Sequence, residues 1–119
     1  MTNVARVDLA SGTHKYVMIV ARDNSSGSST TLVRSGAGEY HADVLEAATA
    51  AMWPAGMECA NVSVDCLGGG RIAFDPGAKT VRIYGYSLGF GCADHAASCQ
   101  LCQEHFGAEY VCEWSNEGY

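Results

Sequence analysis

Apolar and polar residues alternate with a period of two at several places along the chain, and the period of an α-helix replaces it at two others. From Val4 to Ala10, Ala5, Val7 and Leu9 alternate with Arg6 and Asp8, which predicts a strand with one wet face; Ser11-Gly12-Thr13 is expected to turn the chain. Lys15 to Val20 is β-branched and apolar on both faces, as suits a central strand covered on two sides. A Ser-rich loop, Asp23 to Thr30, leads to a strand from Thr31 to Arg34. Glu39 to Trp53 places Tyr40, Val44, Ala47, Ala48 and Ala51 on one helical face, and Pro54 and Gly56 close the run.

Further on, Val62 and Val64 form one short extended piece and Arg71 to Phe74 a second, with a turn at Asp75-Pro76-Gly77 and a strand from Lys79 to Tyr86. A glycine-containing connection, Ser87 to Gly91, enters a second helix whose buried stripe is expected to be Cys92, Ala96, Cys99, Cys102 and Phe106, with a stop at Gly107. Glu109 to Trp114 supplies a last strand. The expected fold is α/β, one domain over residues 1–119, with a mixed sheet of about six strands flanked by two α-helices.

Composition narrows the function. Of 119 residues, 48% are hydrophobic, enough for a single core. Seven Lys and Arg against 13 Asp and Glu give a charge of −6, which argues against nucleic acid or an acidic membrane surface as a partner. Neither a membrane span nor a signal segment is expected, so the six cysteines are read as reduced thiols of a cytoplasmic protein, and the small acidic domain as a monomer.

Three segments carry candidate chemistry. His41 falls in the first turn of the first helix, where backbone N–H groups lack partners and the dipole end is positive; an anion is favoured there and an imidazolium is not. In Cys66-Leu67-Gly68-Gly69-Gly70-Arg71, three glycines permit close backbone approach and Arg71 can fork onto phosphate oxygens. Only four residues separate Cys66 from Arg71, one fewer than a cysteine-dependent phosphatase loop requires. Tyr84 to Gly91 runs from strand to helix and can cradle an anion, without the spacing of a dinucleotide or P-loop motif. Cys92, His95, Cys99, Cys102 and His105 have the composition of a zinc site, but on one helix Cys92 and Cys102 would stand about 15 Å apart, so no metal site is assigned.

Taken in order, EYHAD at Glu39–Asp43, CLGGGRI at Cys66–Ile72, YGYS at Tyr84–Ser87 and W-x-N-x-GY at Trp114–Tyr119 resemble the phosphohistidine phosphatase (Janus/Ocnus) family, from roughly Lys15 to the end of the chain. The resemblance implies an α/β fold and hydrolysis of the P–N bond in phosphohistidine-containing proteins or peptides, with neither cofactor nor metal. It implies that His41 is catalytic, as general base or nucleophile, and that Lys15, the amide of Ala42, Arg71, Ser87 and the amides of Leu88 and Gly89 bind the phosphate. Leu88 and Gly89 stand where many relatives carry Met and Ala, and Arg34 stands one residue closer to the EYH motif than its family counterpart. A non-catalytic phosphohistidine reader or phosphorelay carrier is the alternative.

Overall fold

The computed structural model describes residues 5–24, 26–52 and 62–116. Eight elements follow one another: β1 (Val7–Asp8), β2 (Gly12–Asp23), β3 (Ser29–Gly36), α1 (His41–Met52), β4 (Val62–Asp75), β5 (Thr80–Tyr84), α2 (His95–Phe106) and β6 (Val111–Trp114). They build one six-stranded sheet in the order β1-β3-β2-β4-β5-β6. The two outer pairs, β1 with β3 and β5 with β6, are parallel, and the inner pairs are antiparallel, so the expected α/β fold with a mixed sheet and two helices is found.

Alternation along β2 sends successive residues to opposite faces. Val17, Ile19 and Ala21 join Leu32 and Val44 in a core beneath α1. Tyr16 and Met18 join Ile72, Val81, Ile83 and Cys102 in a larger core beneath α2. This two-sided burial explains the unbroken apolar run of the central strand.

Several boundaries depart from the sequence expectation. Of the strand expected from Val4 to Ala10, Val4 lies outside the described residues and the described part pairs only at the two residues of β1, while β2 begins at Gly12, inside the expected turn. The two short pieces before Asp75 are one 14-residue strand, β4, whose register with β2 shifts between Met18 and Ile19. Three consecutive glycines conceal the strand in the sequence, since they supply no alternating side chains. α1 starts at His41 rather than Glu39, and the expected end of that helix, with Trp53, Pro54 and Gly56, lies outside the described residues.

α2 starts at His95. Its buried positions are therefore His95, Ser98 and Cys102, while Cys92 and Ala96 of the expected stripe are exposed and Cys99 and Phe106 are half-buried. Two polar residues face inward because the buried Tyr16 hydroxyl needs partners: it lies 2.6 Å from His95 Nδ1 and 3.2 Å from Ser98 Oγ. Among the described residues, no helix is long and apolar enough to cross a membrane.

Candidate active site

Backbone close approach at Gly68-Gly69-Gly70 builds the site. A Cβ at Gly69 would lie 2.7 Å from His41 Cδ2, and one at Gly70 would lie 2.4 Å from the Tyr84 carbonyl oxygen and 2.8 Å from His95 Cε1. Gly68 has φ +153°, and a Cβ there would meet the Ala93 backbone at 2.7 Å. The three residues thus admit a histidine from each side of the sheet and the chain segment entering α2. That segment docks through Gly69 N–H to Gly91 O (3.0 Å) and Ala93 N–H to Gly69 O (3.1 Å).

His41 is the first residue of α1 and is 6% exposed. Its Nε2 lies 2.8 Å from the Gly70 carbonyl oxygen. A carbonyl can only accept, so Nε2 carries the proton and Nδ1 of the neutral ring holds a lone pair. Burial lowers the His41 pKa; the bond to Gly70 works against this, and the charges of Lys15 and Arg71 lower it further. The imidazole is accordingly neutral at pH 7. Before it, the Tyr40 carbonyl accepts from Asp43 N–H (3.0 Å), and the Asp43 carboxylate accepts from Tyr40 N–H (2.9 Å), the reach-back half of a capping box. The amides of His41 and Ala42 are first-turn N–H groups that a helix cannot satisfy internally.

The facing wall is the loop between β5 and α2. Ser87 and Gly91 exchange backbone hydrogen bonds of 3.1 and 2.8 Å, and Ser87 Oγ accepts from Phe90 N–H at 3.0 Å, so both ends of the loop are tied. Between this loop and α1 lies a cavity of about 430 Å³ lined by Lys15, Glu39, Tyr40, His41, Ala42, Ser87, Leu88, Gly89 and Phe90. Six of the seven residues singled out in the sequence therefore meet in one place. Arg71 does not line the cavity; it is the cross-strand neighbour of Lys15 and reaches His41 through its charge.

Sequence reasoning missed the contribution of Tyr40 and Phe90 to the lining, having placed Tyr40 on the buried face of α1, where it is in fact exposed. It also missed the buried Tyr16, His95 and Ser98 group; a tyrosine within an otherwise apolar strand was the available signal. A larger hollow, about 630 Å³, crosses β4, β5 and β6, but its lining contains neither histidine nor cysteine. Cys66 donates its S–H to Gly68 O at 3.4 Å, and burial raises its pKa, which suits a thiol rather than a nucleophilic thiolate. Among the described residues, no group of three His, Cys, Asp or Glu is placed to hold a metal ion.

The cavity is lined by His41, whose Nδ1 keeps a lone pair, by Lys15 and by first-turn residues of α1, a set of groups suited to binding a phosphoryl group and acting on it. The Janus/Ocnus family model matches residues 1–110. The 14 kDa phosphohistidine phosphatase of Sus scrofa is 33% identical over 126 residues, covering 100% of this chain and 95% of the relative. The protein of the same name from Homo sapiens is 37% identical over 81 residues, 68% of this chain and 60% of its own length. The sex-regulated protein janus-A of Drosophila simulans is 35% identical over 108 residues, 91% of this chain and 76% of the relative.

Proposed function

The chain belongs to the Janus/Ocnus family, and on that premise we propose that it is a phosphohistidine phosphatase, a hydrolase cleaving the P–N bond of phosphorylated histidine in proteins or peptides without a metal ion. The observation that carries this reading is the His41 Nε2–H bond to Gly70 O, which leaves the Nδ1 lone pair for chemistry in a cavity shared with Lys15.

In the general-base route, a water oxygen attacks phosphorus, its proton passes to His41 Nδ1, the P–N bond breaks, and the leaving imidazole nitrogen takes up a proton. In the nucleophilic route, Nδ1 itself attacks phosphorus, the substrate P–N bond breaks as its imidazole nitrogen takes up a proton from water, and a second water then hydrolyses the phosphoimidazole on His41 to release phosphate and the free ring. Either way, negative charge on the equatorial oxygens is met by Lys15 and by the amides of His41, Ala42, Leu88 and Gly89, with Ser87 bracing the loop that carries the last two. Arg71, the cross-strand neighbour of Lys15, contributes its charge. The P–N bond is labile once its nitrogen is protonated, so orientation and charge compensation are enough to drive the reaction. A cytoplasmic location, where thiols stay reduced, is part of the same proposal.

Multiple-turnover release of phosphate from a phosphohistidine peptide tests the assignment. The wild-type chain is expected to turn over, and His41→Ala to lose activity while keeping its circular dichroism spectrum. Stoichiometric binding without turnover would make the chain a reader or carrier. Rapid quenching separates the routes, since a phosphoenzyme on His41 selects the nucleophilic one.

A further inference from the structure

The cavity is much larger than the anion assigned to it. A phosphate is met by Lys15 and the first turn of α1, whereas the cavity of about 430 Å³ extends to Tyr40, Leu88 and Phe90 as well. Large side chains join its charged lining residues Lys15 and Glu39: Tyr40 is 64% exposed, Leu88 is 87% exposed and Phe90 is half-buried.

Both side chains are largely outside the core. Tyr40 immediately precedes α1, where Ser, Thr, Asp or Asn would cap the helix with a side-chain oxygen; the Asp43 amide bonds to the Tyr40 carbonyl, and the Asp43 carboxylate accepts from Tyr40 N–H. Leu88 stands in a loop whose ends, Ser87 and Gly91, are tied to each other, and it is exposed there. Two large apolar groups are thus held in water beside the lone-pair nitrogen. Local preference broken without structural gain is the mark of a functional surface.

We infer that Tyr40 and Leu88 form a clamp for an apolar side chain next to the phosphohistidine, so that the substrate is a polypeptide in which that histidine has a leucine-like neighbour. The inference rests on the proposed phosphatase activity and specifies its substrate. An acidic neighbour would meet Glu39 on the same rim and a net charge of −6. A small phosphoramidate reaches Lys15 and His41 without touching the clamp.

Two synthetic phosphohistidine peptides, with leucine or with glycine on both sides of the modified residue, test it through kcat/KM. The leucine peptide is expected to be preferred about tenfold, as partial burial of one such side chain would give. Tyr40→Ser, which places a good capping residue on α1, and Leu88→Ser should each bring the ratio within about twofold. Equal kcat/KM for the two peptides in the wild type, or a ratio untouched by both substitutions, overturns the clamp and leaves the phosphatase reading standing. Turnover of neither peptide nor of phosphoramidate overturns both.

Discussion

His41 Nε2 lies 2.8 Å from the carbonyl oxygen of Gly70, so a glycine on β4 decides which ring nitrogen of the first residue of α1 is left bare. The contact exists because Gly69 leaves space where a Cβ would strike the same ring.

The first consequence concerns pH. Burial, Lys15 and Arg71 lower the His41 pKa below its ordinary 6.5 despite the opposing bond to Gly70. An NMR titration of the His41 ring should show a midpoint below 6.5, and Lys15→Met should move it upward; a midpoint at or above 6.5 would contradict the geometry. Because the folded pKa is depressed, the unfolded chain binds the proton more tightly. His41 therefore contributes stability that is complete above about 6.5 and is lost as pH falls through the folded value.

Gly69 offers a steric test. Gly69→Ala sets a methyl group 2.7 Å from both His41 Cδ2 and the Tyr16 carbonyl oxygen. Overpacking of this kind costs about 1–3 kcal/mol, and the displaced ring should cut turnover about tenfold or more. Gly89→Ala, with nothing within 4 Å, should change the urea midpoint little. Equal stability losses for the two variants would show that the glycine run is not packed as described.

Tyr16→Phe removes the hydroxyl that meets His95 Nδ1 and Ser98 Oγ in the core. Leaving a buried nitrogen without that partner should destabilise the fold by about 1–3 kcal/mol in chemical denaturation. A neutral result would mean that the core network carries no stability.

The thiols should separate by reactivity. Burial, aided by neighbouring Cys112 and Cys99, pushes Cys102 up to about 12, and burial with Cys99 brings Cys112 to about 11, while Cys92 is exposed. Alkylation of the native protein at pH 8, mapped by mass spectrometry, should modify Cys92 well before Cys102. Early labelling of Cys102 would show that α2 is not seated as found.

Periodicity alone revealed the central strand, the first helix and the mixed α/β class, because side chains buried on both faces of β2 and on one face of α1 leave a direct record in the sequence. It failed at Gly68-Gly69-Gly70, where glycines carry no face preference and one strand looked like two pieces, and at α2, where Tyr16 draws His95 and Ser98 inward across some eighty residues of chain. The motifs named His41, Lys15 and the Ser87 loop as candidates. Only the folded chain decides which nitrogen of His41 is bare, that Arg71 pairs across the strands with Lys15, and that Tyr40 and Leu88 line one cavity. Those are distances between residues far apart in sequence, set by strand register and backbone contact, and no local pattern of polar and apolar positions encodes them.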